Sequence, residues 1–176
     1  MKKRLKSFLL SLILGSTIGA YADGHSLIGF EAKYHKANEV VSLYNSSSAA
    51  SGLRLGAIND EYRILFMYDF IQDSEEQGST LTLSQYLLTA NFDVFIPLPN
   101  DYIKPFIGAV MGQGSYTLKR VGQTISEETG WVYGGEVGVL YTKNRIFNID
   151  LFARYITGLN RVKDYIQAGI GVDYKF

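Results

Sequence analysis

The sequence has no cysteine, only three prolines, two histidines and one tryptophan in 176 residues. Without cysteine there is no disulfide, no thiolate zinc site and no cysteine nucleophile, so an exported domain of this kind must be held by its core or by its surroundings. Two histidines, His25 and His35, are poor material for a metal centre. Long apolar runs are missing as well. Residues 7–19 form an apolar stretch of 13 residues, short of the about 20 that a membrane-spanning helix needs. There is no basic excess either: the formal net charge is +0, and nothing in it calls for a nucleic-acid partner.

The short apolar stretch fits an export signal. Lys2, Lys3, Arg4 and Lys6 precede it, and Ala20-Tyr21-Ala22 follows as an A-x-A cleavage site, with Ala20 and Ala22 as its small residues. Residues 1–22 are therefore expected to be a signal peptide and residues 23–176 a single domain. Removing the signal leaves thirteen basic against seventeen acidic side chains, a charge of −4.

What is abundant is tyrosine (13), glycine (18) and alternation. Ile28, Phe30, Ala32 and Tyr34 alternate with Gly29, Glu31, Lys33 and His35. Tyr62, Ile64, Phe66, Tyr68 and Phe70 alternate with Arg63, Leu65, Met67 and Asp69. Period-two patterning of this kind marks strands with two unlike faces. It recurs after Gly52, from about Thr80 to Ile96, from Tyr102 to Thr117, around Trp131–Tyr141, from Phe147 to Tyr155 and from Ile166 to Phe176, eight strands in all. Residues 37–50, 71–79, 118–129 and 158–164 read as long polar loops, residues 59–60, 97–101 and 143–145 as short turns. Long and short connections alternating suit an antiparallel up-and-down transmembrane β-barrel, an all-β fold with every long loop at one end. Ser46–Ser51 reads as a mobile small-residue patch in the first loop.

The faces decide between a membrane barrel and a soluble, lipocalin-like one. One face of each strand is Tyr, Phe, Leu, Ile and Val; the other mixes charges with glycines. Glycine weakens a solvent-facing strand, but in a narrow lumen it makes room for a long charged neighbour. Phe70, Tyr86, Trp131, Tyr133 and Tyr155 fall near the long-loop ends, Tyr62, Tyr141, Phe147, Tyr174 and Phe176 near the short-turn ends, as two aromatic girdles. The chain closes on Tyr174-Lys175-Phe176, a strand with a terminal aromatic that resembles the C-terminal assembly signal of bacterial outer-membrane barrels.

With that ending, the alternation and the A-x-A site, the sequence resembles the small eight-stranded barrel families typified by OmpX, the OmpA membrane domain and opacity-type surface proteins. For OmpA the resemblance stops at the barrel. It implies an outer-membrane location reached through the periplasm, contact with lipid and lipopolysaccharide, handling by the outer-membrane assembly machinery, a monomer, and extracellular ligands held by the loops.

The candidate lumenal charges are Glu31, Lys33, Arg54, Arg63, Asp69, Asp93, Lys104, Glu136, Asp150, Arg154, Asp173 and Lys175. With about eight strands side chains nearly fill the lumen, so these charges must pair. The turns place Asp93 near Lys104, Glu136 roughly diagonal to Arg154, and Asp173 near Glu31 and Lys33. The set reads as a salt-bridge plug, or alternatively as a narrow ion path. A serine-based lipid A deacylase would need a Ser–His–carboxylate group; His35 with Ser42 or Ser84 is the available combination, and the His-x-Ser-Asn motif of such enzymes is missing. Asp69, Asp73, Glu75 and Glu76 read as a solvated acidic loop, with weak Ca²⁺ or lipopolysaccharide-bridging cation binding as the sharper alternative. Gly108–Gly112 matches G-x-x-x-G, which has its helix-packing meaning only on a helix. The expectation is a non-enzymatic barrel without cofactor, catalytic or metal site, structural or adhesive, with a porin-like narrow pore and a lipid A-modifying enzyme as alternatives.

Overall fold

The computed structural model describes residues 24–40, 44–76, 80–100, 102–120, 123–142, 146–160 and 164–176, with the side chains of 39–40, 44–46, 72–76 and 80–81 excepted. The expected signal peptide, with Ala20 and Ala22, lies outside the described residues, as does the turn at 143–145. Eight strands follow in chain order: β1 (His25–Val40), β2 (Tyr44–Ile58), β3 (Tyr62–Glu76), β4 (Thr80–Phe95), β5 (Ile103–Arg120), β6 (Gln123–Tyr141), β7 (Phe147–Thr157) and β8 (Asp164–Lys175). Each pairs antiparallel with the next, and β8 returns to β1, so the sheet is a closed up-and-down barrel. Closure leaves no unpaired edge in the midsection, which is what allows strands to stand in lipid.

Closure is completed at the termini of the barrel. Ser26 and Phe176 exchange both backbone hydrogen bonds, at 3.0 and 3.1 Å. The β2–β3 turn is set by Asn59, whose side-chain oxygen accepts the backbone N–H of Glu61 at 2.9 Å and of Tyr62 at 2.8 Å. Asn100 does the same for the N–H of Tyr102 after the prolines that end β4.

The other end departs from the sequence expectation. Residues 37–40, 44–50, 71–76, 118–120 and 123–129, read as loop, are strand. Ser46–Ser51, read as mobile, is paired with β1 from Ala37↔Ser46 to Ala32↔Ser51. The physical reason is that polarity is no bar to a strand: Ser and Thr satisfy a β ladder as well as apolar residues do, and the alternation simply continues with hydroxyls in place of hydrocarbon. Three of the four connections are thus carried past the ring as paired strands, while residues 158–160 of the fourth are not strand, as the sequence suggests.

The ring also parts into two sheets there. β2–β3 pairing ends at Ser51↔Phe70 and β6–β7 pairing at Tyr133↔Thr157. β4–β5 pairing, by contrast, continues to Leu81↔Arg120, and β1–β8 pairing to Asn38↔Asp164. The β3–β6 strands and the β7–β8–β1–β2 strands therefore rise as separate walls above the closed midsection.

Candidate functional site

The alternation resolves into an inverted barrel. Leu53, Ile107, Met111, Leu151 and Val137 lie exposed on the outside, while Arg54, Arg63, Asp93 and Arg154 are buried within. The Tyr62–Phe70 face alone rises about 20 Å along the barrel axis at 3.3 Å per residue and the usual strand tilt, close to the about 25 Å apolar band of membrane barrels. The two girdles are real contacts. Phe70 and Tyr86 lie 5.3 Å apart at the hairpin end, Phe147 and Tyr174 5.6 Å apart at the turn end, with Phe176 6.1 Å from Tyr174. A soluble barrel with an apolar interior is excluded by this arrangement: the barrel is one that spans a membrane.

Ten of the predicted lumenal charges are buried inside: Glu31, Lys33, Arg54, Arg63, Asp69, Asp93, Glu136, Asp150, Arg154 and Asp173. Lys104 and Lys175 are not among them. They sit at the turn-end rim, where Lys104 Nζ donates to Asp60 at 2.8 Å and Lys175 Nζ to Thr142 at 3.2 Å. The Asp93–Lys104 pairing fails because the register sets Phe95 opposite Phe106 and Asp93 opposite Gly108, which carries Lys104 below the ring. Asp60 gains from this: the hydrogen bond from Lys104, and then its charge, hold the Asp60 carboxyl below its ordinary value.

The interior charges form two linked groups. Nearer the turn end, Arg63 donates to Asp93 from Nε at 2.8 Å and to Asp150 from Nη1 at 2.6 Å. Arg54 holds Asp150 from both terminal nitrogens, at 2.6 and 3.2 Å, and meets Asp173 at 3.2 Å. Asp173 was expected near Glu31 and Lys33; it lies opposite Gly29, diagonal to Glu31 and two inward positions from Lys33, and its ion-pair partners are Arg54 and Arg63. Nearer the hairpin end, Arg154 donates to Glu136 at 2.8 Å and to Gln167 at 3.0 Å, and approaches Glu31 at 3.5 Å. Glu136 and Arg154 are directly opposite in register, not diagonal. Lys33 bridges Glu31 and Asp69. Asp69 thus belongs to the lumen, not to an acidic loop; Asp73, Glu75 and Glu76 have side chains outside the described residues.

Glycines make this packing possible. An added Cβ on Gly29 would meet Asp173, on Gly52 Asp69, and on Gly108 Asp93, each at 2.1 Å from a carboxylate oxygen. On Gly171 it would overlap Arg54, and on Gly169 it would lie 2.6 Å from Lys33 Cβ. The charged side chains lie flat across the neighbouring strand, in space that any other residue would fill.

The lumen is not charged throughout. Leu27, Ile58, Leu65, Met67, Phe95, Phe106, Leu140 and Phe152 form an apolar cluster at the turn end. Ile71, Leu83, Leu87, Val110, Tyr116, Val132, Ile156, Leu159 and Tyr165 belong to a second one toward the hairpins. The charge network interleaves with the first of them: Leu65 and Met67 lie between Arg63 and Asp69 on β3, and Phe152 between Asp150 and Arg154 on β7. Arg63 stacks over Phe106 at 4.8 Å and Arg154 over Phe152 at 4.7 Å, so the cations are capped by rings. Leu159 enters the mouth from the β7–β8 connection. Gly158, at φ 131°, makes the bend that glycine alone tolerates comfortably, and Asn160 donates its backbone and side-chain N–H groups to Glu128 at 3.0 Å each.

Sequence reasoning passed over several members of the network. Asn91 donates to Glu136 at 2.7 Å, Gln167 meets His35 Nδ1 at 3.0 Å, and Met67 Sδ lies 3.4 Å from Arg154. All lie on the inward face of their strands, so the period-two phase was the signal that could have found them. His35 points inward and is buried, while Ser84 is on the opposite parity of β4 from inward Gln85; they share no site. Ser42 lies outside the described residues.

No protein-family model and no curated protein matched this sequence. Solved structures did. Neisserial surface protein A (NspA) superposes with a TM-score of 0.68 at 20% identity, covering 86% of this chain and 97% of that one. Ail, the attachment invasion locus protein of Yersinia pestis, gives 0.58 at 19% identity over 87% and 99%. Outer membrane protein H (OprH) from P. aeruginosa gives 0.59 at 18% identity over 86% and 99%. The chain has the fold of the small eight-stranded bacterial outer-membrane β-barrels.

Proposed function

We propose that this chain is a non-enzymatic protein of the bacterial outer membrane, an anchored scaffold that holds β-hairpins above the cell surface in a structural or binding role. In this reading the chain is exported, cleaved after Ala22, and recognised by the outer-membrane assembly machinery through Tyr174 and Phe176. It stands as a monomer among lipid and lipopolysaccharide, its projecting hairpins facing outward and its turns facing the periplasm, the usual arrangement.

One observation carries the reading: the lumen is filled, its buried and mutually paired charges packed among two apolar clusters. A conducting path needs a continuous open polar route, and paired charges packed among apolar side chains oppose ion passage. That weighs against the narrow pore. The separation of His35 from Ser84 on opposite faces weighs against a serine-based lipid A enzyme, which needs them in hydrogen-bond reach. What remains accessible is the hairpin surface, where a rigid scaffold places recognition.

The test is single-channel recording on refolded protein in planar bilayers, together with the gel-mobility change of a folded barrel on boiling. Electrical silence with a clear mobility change is the expected result. Steady ohmic steps that vanish in Arg63 or Arg154 variants would replace the scaffold reading with the pore.

A further inference from the structure

The outward face of β4–β6 above the girdle differs from the belt below it. Six outward residues carry hydroxyl or amide groups: Thr82, Ser84, Gln113, Ser115, Thr117 and Thr129. They are neighbours in the sheet, with Ser84 opposite Thr117, Gln113 opposite Trp131 and Ser115 opposite Thr129. Thr129 Oγ1 donates to Ser115 Oγ at 2.9 Å, so the hydroxyls form a connected surface. Lys119 and Glu127 stand at its upper margin, both exposed. Behind it, Leu83, Leu87, Tyr116, Leu118 and Val132 are buried in the lumenal cluster, which keeps the wall flat and in place.

The face is continuous with the lipid-facing surface. Tyr86 and Trp131 lie level with its lower edge, opposite Ser115 and Gln113, with Tyr133 below them; the three are exposed by 42%, 65% and 60% on the outside. Aromatics in this position sit at the level of lipid headgroups. From Gln113 to Lys119 the strand rises about 20 Å, or about 15 Å along the membrane normal at the usual tilt. A phospholipid headgroup layer is only about 5–8 Å deep on each side of the hydrocarbon. The hydroxyl face therefore stands about twice as high as phospholipid headgroups reach. Hydroxyls donate and accept at once, the property needed to bind sugar hydroxyls, and exposed aromatic rings supply the flat apolar surface that sugar rings cover.

The geometry points to a binding face for the saccharide headgroup of an outer-leaflet glycolipid, formed by Thr82, Ser84, Gln113, Ser115, Thr117 and Thr129 from the level of Trp131 upward. It deepens the outer-membrane reading above and rests on it. The glycolipid lies beside the barrel with its acyl chains against the apolar belt and its sugars against the hydroxyls.

Trp131 is the single tryptophan of the chain, so its emission reports this face alone. The refolded protein in detergent micelles is titrated with lipopolysaccharide, and in parallel with phosphatidylglycerol. A saturable emission change at lower lipopolysaccharide than phosphatidylglycerol is expected. The S115A/T117V/T129V variant, which keeps strand-compatible shapes, should need about tenfold more lipopolysaccharide, with its phosphatidylglycerol response unchanged. Equal wild-type responses to the two lipids, or a triple variant with wild-type lipopolysaccharide affinity, overturn the proposal. The boiling-dependent mobility change is read on both proteins. Its absence from the wild type removes the membrane-barrel reading and this proposal with it, whereas its presence beside equal lipid responses removes the glycolipid face alone.

Discussion

Replacing Arg63 by methionine keeps an unbranched apolar stem and deletes the guanidinium with its charge. Arg63 is buried, pairs with Asp93 at 2.8 Å and Asp150 at 2.6 Å, and lies 3.6 Å from Asp173. Asp150 and Asp173 keep Arg54, but Asp93 has no other cation bridged to it among the described residues. The variant therefore strands a buried carboxylate inside a packed lumen. Breaking a buried pair from one side costs about 3–5 kcal/mol, a large share of the about 5–15 kcal/mol by which a domain is stable. In urea, at about 1–3 kcal/mol per molar, the unfolding midpoint in lipid vesicles should fall by about 1–5 M, read from Trp131 emission. Adding Asp93→Asn to Arg63→Met should restore part of the loss, since the orphaned charge is then gone. A loss under about 1 kcal/mol, the size expected of an exposed ion pair, would mean that water reaches and screens these charges and that the lumen is not packed closed.

Three further outcomes follow from the same geometry. Gly108→Val puts a side chain where Asp93 lies, 2.1 Å from its carboxylate oxygen; the cost should be about 1–3 kcal/mol, while Gly135→Ala on the lipid side of β6 should cost clearly less in the same urea titration. Asn160→Ala removes the side-chain hydrogen bond to Glu128 and leaves the backbone one; it should raise hydrogen exchange around Leu159 modestly, without altering the gel-mobility change on boiling. Asp60, held below its ordinary value by Lys104, contributes a small stabilisation at neutral pH that is lost as pH falls through its folded value; Lys104→Gln should move the Asp60 titration upward by NMR, and an unmoved titration would mean that the rim pair is not formed in solution.

The phase of each strand was legible because a strand alternates its faces whatever it pairs with. Glu31, Lys33 and His35 read as one face from three alternate positions, and all three are buried in the lumen. Partners were less legible, because they depend on register, and register depends on turn geometry that polar residues specify loosely. Moving Asp93 from Lys104 to Arg63 required knowing that Phe95 meets Phe106. The apolar clusters were missed for a different reason. Leu65, Met67, Phe106 and Val110 lie on the same face as the charges, and a face that mixes charge with glycine reads as polar even where leucine and phenylalanine interrupt it. The hairpins were read as loops because composition was allowed to outweigh period.

The mixed filling of the lumen follows from where the barrel stands. In a soluble protein, hydrophobic burial drives the interior together; a barrel in lipid has an exterior already surrounded by hydrocarbon, and strand pairing alone fixes its circumference. The space left inside is too narrow for a water column and must be filled by side chains of limited bulk. Glycines opposite Asp69, Asp93 and Asp173 let long polar groups lie flat there, and leucines and phenylalanines packed around them exclude the water that would weaken their pairing. Such an interior is committed to holding the wall round. Specificity then has to reside on surfaces that the wall presents, the tops of the hairpins and the outward face of β4–β6, and changes there should alter binding while leaving the urea midpoint in place.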